Sequence, residues 1–485
     1  MICKRNKTKI LGLFTALVLV AGLFAALGLN GAFAGTLNIT SPDNVLLYPC
    51  NNSAEMSVTW WDAETVGSGQ VVYGVQADLT DGKTANAEVT ADTENGYASF
   101  EAKMTGLTAG TKYYYKVGHD NTWSRIYSFT TEPENAEAFN FLYLGDVQYV
   151  DKTNAQNEYN EWADLVTKAV SANDFAFALM GGDMVQEESS VTNWNMFLNS
   201  AGKNFASLPM LAVTGNHETN GQTGMPENMT EYLALPTNGP EGFAERFYSY
   251  DYGSCHIVVL DSNVFSGEAE LTAEDLAKIK NWFAEDLANS DAVWKIVAMH
   301  HPAYAVVTDK IADQVMENWV EVFEDAQVDL VLCGHQHIYM RTHPMYQGKL
   351  NQKGITYVMG NSGSKYYSKA DVFYSAKMIE NTSTYQAVSI DGDKLTLNTC
   401  GADGTVLDTV TLNARNRDIP IPDIEEVAGD VDGDGYVTAA DYDIIIKAIL
   451  NCTTNSFMDV NADGKVNIAD AHYVKIKINA AAGNN

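Results

Sequence analysis

Hydrophobic and polar residues are distributed along the chain in four distinct textures. The first has Lys4, Arg5, Lys7 and Lys9 ahead of an apolar run over 10–29, followed by Ala32-Phe33-Ala34. A basic start, an apolar centre and a small-x-small end predict an export signal, residues 1–34, cleaved after Ala34. The run is also long enough to span a bilayer, so an uncleaved anchor is the alternative. Over 35–134, short alternating segments at 56–61, 70–73, 98–102 and 113–117, separated by turn residues, predict the strands of a β-sandwich. Over 138–412, apolar runs at 139–144, 175–180, 210–213, 296–299 and 328–332 alternate with helical stretches such as 157–172 and 272–288, which predicts an α/β domain. Each run leads directly into a polar or Gly-containing turn that carries Asp, Asn or His, and open α/β sheets build their sites at such strand ends. Residues 413–428, with Pro420 and Pro422 among charges, read as a linker, and 429–481 hold two helix-like runs at 442–450 and 471–478.

Composition narrows this picture. A length of 485 residues calls for two to four domains, and a hydrophobic fraction of 46% excludes a mostly disordered chain. The formal net charge is −32, and about −36 without the leader, which repels nucleic acid and anionic membranes. No nucleic-acid partner is expected, and no membrane contact unless the leader stays attached. Of six cysteines, Cys3 lies in the leader; Cys50, Cys255, Cys333, Cys400 and Cys452 are scattered without a CxxC pair, so thiolates build no metal site.

Five clusters stand at the predicted strand ends: Gly145-Asp146-Val147-Gln148, Gly182-Asp183-Met184-Val185-Gln186, Gly215-Asn216-His217-Glu218, Met299-His300-His301-Pro302 and Gly334-His335-Gln336-His337. Carboxylate, amide and imidazole together suit Zn, Mn or Fe better than calcium. Two such ions about 3.5–4 Å apart need one shared carboxylate, and Asp183 is the natural bridge.

In this order the clusters resemble the calcineurin-like metallophosphoesterases and, with the sandwich in front, the purple acid phosphatase branch and its bacterial relatives. The segment 106–113, Gly-Leu-Thr-Ala-Gly-Thr-Lys-Tyr, resembles the tyrosine corner of fibronectin type III-like domains. The resemblance implies two sheets flanked by helices, αββα, and two divalent or trivalent metals. It places the first on Asp146, Asp183 and His337, and the second on Asp183, Asn216, His300 and His335. Asp183, Asn216 and His217 would be catalytic: a hydroxide between the ions attacks phosphorus, while His217, its ring oriented by Glu218, stabilises phosphoryl oxygens and helps protonate the leaving group. The chain departs from the family at Gln148, where many members have His, and at Gln186, where purple acid phosphatases have a ligand Tyr. Gln148 is either a weak amide-oxygen ligand or a hydrogen-bonding residue. Without a tyrosinate neither purple colour nor a strong preference for ferric iron is expected. His301, Tyr304 and Arg341 are candidate substrate contacts, with His343, Trp194 and Asn263 as weaker ones.

The C-terminal segment carries an internal repeat. Asp430, Asp432, Asp434, Thr438 and Asp441 occupy positions 1, 3, 5, 9 and 12 of an EF-hand-type loop, with Gly435 at 6 and Tyr436 at the backbone-carbonyl position. Asp459, Asn461, Asp463, Lys465, Asn467 and Asp470 repeat the pattern 29 residues on. Loops each followed by one helix resemble type I dockerins, which implies a small all-α module with two Ca ions. It also implies a cohesin partner on an extracellular scaffold such as a cellulosome. Loop positions 10 and 11, Ala439 and Ala440 in one repeat and Ile468 and Ala469 in the other, would touch it. The combined expectation is a secreted phosphomonoesterase tethered to a scaffold. The alternatives are a phosphodiesterase acting on nucleotides or phosphorylated glycans, and a catalytically degenerate binding subunit.

Overall fold

The computed structural model describes residues 41–92, 95–269, 271–368, 372–421, 427–433, 436–451 and 456–482, with Ile39 and Thr454. The segment 1–34 expected to be a leader, Cys452, Pro422, Asp434 and Gly435 lie outside the described residues.

Two antiparallel sheets form the N-terminal sandwich, as the alternation predicts. One runs Asp43–Pro49, Glu55–Ala63, Tyr97–Thr105, Glu88–Asp92; the other Lys83–Asn86, Gln70–Gly74, Lys112–His119, Thr122–Trp123, with Tyr127–Thr130 also paired to Lys112–His119. Successive residues of a strand face opposite ways. Trp60 therefore stacks on Phe100 inside the sandwich at 5.1 Å, while Trp61 stacks on Tyr97 at 4.1 Å on the other face, against Tyr232 of the following domain. The Tyr97 and Tyr232 hydroxyls meet at 2.6 Å, and Tyr115 donates to the Ala206 carbonyl at 2.7 Å, so the sandwich is bolted to the α/β domain. Tyr113 accepts from the Thr108 N–H at 3.0 Å, which closes the predicted corner.

The α/β domain holds a 6-stranded and a 7-stranded sheet. In the first, Met210–Ala212, Phe177–Met180 and Ala138–Leu144 are parallel, and Thr384–Asp391, Lys394–Gly401 and Val406–Asn413 extend it antiparallel. In the second, Cys255–Leu260, Trp294–Met299, Leu330–Cys333 and Thr356–Met359 are parallel, with antiparallel strands at both edges. The helix Ala155–Ala172 buries Tyr159, Trp162, Ala163, Val166 and Ala169, an apolar stripe of helical period. Thr272 opens the helix Ala273–Asn289 with a capping box to Asp275, and Ile279, Phe283 and Leu287 join the second sheet's core.

Part of the segment read as linker is tied down. Arg415 donates to Asp329 at 2.9 Å and to the Gly354 carbonyl at 2.6 Å, Arg417 bonds Asp329 as well, and Gln327 donates to the Arg417 carbonyl. Beyond it, helices Ala439–Asn451 and Ile468–Ala482 close over Val431, Ile445, Ala448, Met458, Ala471 and Val474. Cys50, Cys255, Cys333 and Cys400 are free thiols. Among the described residues no helix is long and apolar enough to cross a membrane.

Candidate metal centre

Every cluster singled out in the sequence sits where a parallel strand ends, and the two sheets aim these ends at one point. The turns are tight. Asp183, His335 and His337 hold left-handed backbone angles, φ 52, 75 and 47. Non-glycine residues tolerate this only where surrounding structure over-determines it. Gly334 is required because a Cβ there would lie 2.6 Å from an Asp146 carboxylate oxygen.

Glu218, fully buried, ties two of the turns together. Its carboxylate accepts the N–H groups of Asp183 at 2.7 Å, Met184 at 2.7 Å, Val185 at 3.0 Å and Gly215 at 2.9 Å. The expectation that Glu218 orients His217 is therefore corrected. The Gln186 carbonyl, 2.7 Å from His217 Nδ1, holds that ring and leaves Nε2 facing Asp183 Oδ2 at 4.0 Å.

Asp183 lies at the centre. Asp146, Asp183 and His337 form one group whose ligand atoms lie within 4.8 Å of one another; Asp183, His300 and His335 form a second. Asn216 Oδ1 completes the latter at 3.2 Å from His300 Nε2 and 3.0 Å from His335 Nδ1. His300 is oriented through Nδ1, which donates to the Gly181 carbonyl at 2.8 Å. Two ligand groups sharing one carboxylate are the arrangement that a pair of metal ions requires.

The surroundings of Gln148 fit a cation as well. Its Oε1 and His337 Nδ1 are buried without a hydrogen-bond partner, while its Nε2 lies 2.9 Å from Asp183 Oδ2 and 3.4 Å from His337 Nε2. Turning the amide over directs its oxygen at the same point, as a cation between these residues would favour. Electrostatics agree. Burial pushes Asp146 up to about 7 even against the attraction of His300. Burial works to lower His300, yet Asp183 beside it raises it to about 10. Burial disfavours the Asp183 anion, and His300 with His217 outweighs that and holds it well below the carboxylate range. Burial and repulsion from Lys365 take His337 down to about 3. Asp146 thus lacks neutralising charge, which divalent ions would supply.

One participant was not visible in the sequence. Asp309 accepts from His335 Nε2 at 2.7 Å and caps the helix Lys310–Asn318 by accepting from the Ile311 N–H at 2.8 Å. Gln336 brings it there: its amide oxygen accepts from Val306 at 2.6 Å and Val307 at 3.0 Å, pinning the loop after Pro302 to the His335 turn. With Nε2 so occupied, Nδ1 is the His335 atom left for a metal. A carboxylate behind a ligand imidazole typically contributes about 10–100-fold in metal affinity. Asp309→Ala is therefore expected to release metal during dialysis at chelator concentrations the parent withstands, with Asp309→Asn between the two, as read by elemental analysis.

The proposed substrate contacts fare unevenly. His301 lies beside the cluster, its ring 4.2 Å from that of His335, but it is buried and bonded to Ser262 at 2.8 Å. Tyr304 is in the second sheet's core against Tyr357 and Tyr374. The guanidinium of Arg341 is taken up by Asp408 at 2.7 and 3.1 Å. Trp194 is buried and donates to the Glu188 carbonyl, Asn263 braces the Thr214 and Gly215 carbonyls, and His343 lends its N–H to Tyr374. Tyr304 and Arg341 are thus not brought to the cluster. A cleft of about 210 Å³ does open beside it, lined by Gln186, Glu187, Asn216, His217 and Asn220.

In the C-terminal loops, Asp430, Asp432 and Asp441 converge. Asp441 accepts from Val431 and Thr438, both at 2.6 Å, and Asp470 from Asn467 at 2.8 Å and Asn461 at 3.3 Å, so position 12 closes each loop. Asp459 accepts from Gly464 at 2.7 Å, with Asp463 bonded inside the same turn. Tyr436, Lys465, Ala439, Ala440, Ile468 and Ala469 are exposed.

Comparison with known proteins matches residues 42–131 to the purple acid phosphatase N-terminal domain, 139–339 to calcineurin-like phosphoesterases and 428–479 to the dockerin type I domain. An uncharacterized protein of Mycobacterium tuberculosis is 26% identical over 327 residues, 61% of each chain, so the chain spans less than two thirds of that relative. Purple acid phosphatase 21 of Arabidopsis thaliana is 27% identical over 327 residues, 64% of this chain and 69% of the relative. Among solved structures, a purple acid phosphatase from yellow lupin (Lupinus luteus) seeds shares the fold with a TM-score of 0.64 at 18% identity, covering 78% of this chain and 75% of that one.

Proposed function

For a chain that carries a purple acid phosphatase N-terminal domain, a calcineurin-like phosphoesterase domain and a type I dockerin domain, we propose the role of a secreted, metal-dependent phosphomonoesterase delivered to a cohesin-bearing scaffold. The observation that carries it is the pair of ligand groups sharing Asp183. Two ions bound there would supply Lewis acidity, activating water and neutralising phosphoryl charge. The chain supplies the rest. Asp146 and His337 on one side, Asn216, His300 and His335 on the other, hold the ions, and Gln148 adds an amide oxygen. His217, fixed through Nδ1 on the Gln186 carbonyl, presents Nε2 to a phosphoryl or leaving-group oxygen, and the cleft beside it receives the leaving group. Two carboxylates as the only anionic ligands suit a pair of divalent ions, with Mn, Zn and Fe(II) all compatible.

The test is hydrolysis of p-nitrophenyl phosphate and of its bis-ester with Mn, Zn or Fe supplied. Monoester hydrolysis is expected to dominate; faster bis-ester cleavage would convert the proposal to a phosphodiesterase, and inertness towards both would end it. The Gln186 side chain is turned to His217, with its amide nitrogen 3.4 Å from Nδ1, so the tyrosinate position of purple enzymes is held by an amide. Iron-loaded protein is therefore expected to show no visible phenolate-to-iron band, and a purple sample would contradict this ligand set.

Delivery to a scaffold is supported by the exposed residues at loop positions 10 and 11 of both repeats. Calcium-dependent capture by immobilised cohesins, lost in Asp430→Ala/Asp459→Ala, is the expected result. Failure with every cohesin type tried would leave a calcium module without that partner.

A further inference from the structure

We propose that the calcium-loop module is seated on the phosphoesterase as a fixed part of its body and that calcium in the first loop controls this seating. The proposal rests on the reading of residues 430–441 as a calcium loop. On the module the contact is made by Phe457, Ile444 and Gly433; on the phosphoesterase, by Phe373 and the hairpin Met345–Tyr346 and Lys349–Leu350.

Three contacts at different points of the seam carry it. The Phe457 ring meets that of Phe373 edge-on at 5.3 Å, and Phe373 packs against the module's own core. Ile444, on the first module helix, packs in turn against the second sheet's core, which contains Met345 and Leu350. The two cores are therefore continuous across the seam, and apolar surface buried there is worth about 25 cal/mol per Å². Gly433, within the first loop, passes so close to the hairpin that an added Cβ would overlap the Leu350 carbonyl and lie 3.2 Å from Asn351 Cα. By contrast Leu450, Ile468 and Ile476 are 75%, 63% and 54% exposed, so other apolar side chains of the module stay open to solvent while those at the seam are covered.

Calcium enters through Gly433. It directly follows Asp432, whose carboxylate lies with those of Asp430 and Asp441 within 4.8 Å. Without a cation three carboxylates at that spacing repel, and relief comes from opening the loop. Opening moves Gly433 off Leu350 and removes the backbone seat on which Ile444 and Phe457 are aligned. On the phosphoesterase side the contact continues inward. Phe373 meets Tyr374 edge-on at 5.1 Å, and the Tyr374 hydroxyl donates to the Ala305 carbonyl in the loop that ends at Asp309. The module thus supports one wall of the segment that positions His335.

Hydrogen exchange on the full chain tests this, with calcium present or removed by a calcium-selective chelator and the catalytic metal content checked in both samples. Backbone amides of 343–351 and 372–378 are expected to exchange at least about tenfold more slowly with calcium. Phe457→Ser should abolish that difference, and so should Phe373→Ser on the phosphoesterase side, while calorimetry shows calcium still bound to both variants. Equal exchange with and without calcium in a parent chain that binds calcium would overturn the seating and leave the calcium reading intact. No calcium binding at all would remove both. A calcium effect that persists in Phe457→Ser and Phe373→Ser would place its origin elsewhere and also overturn the proposal.

Discussion

Asp183→Ala is expected to lose both metals and at least about a thousandfold in hydrolysis, roughly 4 kcal/mol of transition-state stabilisation. No other side chain stands in both ligand groups, so its removal disconnects Asp146 and His337 from His300 and His335 in one step. It also removes the acceptor of the His217 N–H at 3.0 Å and leaves buried His300 without the carboxylate at 3.2 Å that balances its charge. Elemental analysis and p-nitrophenyl phosphate turnover read the two losses separately. Asn216→Ala should be similarly inactive but keep the Asp146 and His337 side loaded. Retention of both metals in Asp183→Ala would show that the shared-carboxylate arrangement is wrong.

Glu218→Ala should be the most damaging substitution for stability among residues that touch no proposed ligand atom of the metals. The carboxylate satisfies four buried N–H donors, and alanine leaves all four without a partner. Each unsatisfied buried donor costs about 1–3 kcal/mol, less where water enters, so a loss of about 3–5 kcal/mol is expected in denaturant titration. Burial and the neighbouring Asp183 push Glu218 up to about 8, whereas the four donors favour the anion. Glu218→Gln, which keeps one acceptor oxygen but points an NH₂ at N–H groups, should fall between the two. Metal content should drop in step with stability, because the Asp183 turn has no other brace of this kind among the described residues. A Glu218→Ala protein as stable as its parent would refute this account.

Much of the site was legible because its signals are local. A buried parallel strand reads as a continuous apolar run, and the polar residue that ends it must sit at the sheet's edge. The clusters that hold Asp146, Asp183, Asn216, His300, His335 and His337 are legible that way, the family resemblance picks these ligands out of them, and a repeat spacing of 29 marks the calcium loops. The antiparallel strands Thr384–Asp391, Lys394–Gly401 and Val406–Asn413 went unmarked. In the last of them no residue is fully buried, so no apolar run marks it.

Other features depend on residues distant in sequence. Arg341 looked available for phosphate, but the sheet brings Asp408 to it from 67 positions away. Asp309 caps the helix Lys310–Asn318, and the loop pinned by Gln336 also places it behind His335. Glu218 neighbours His217 in sequence, whereas its carboxylate reaches a turn 33–35 positions earlier. The separation follows from physics. Periodicity, turn chemistry and ligand spacing are written in consecutive residues, and they specified the domains and the donor atoms at the strand ends. Pairings between groups far apart in the chain depend on how strands and loops pack, and that packing chose which ring nitrogen faces a metal, which carboxylate holds a turn, and which charges are already spent.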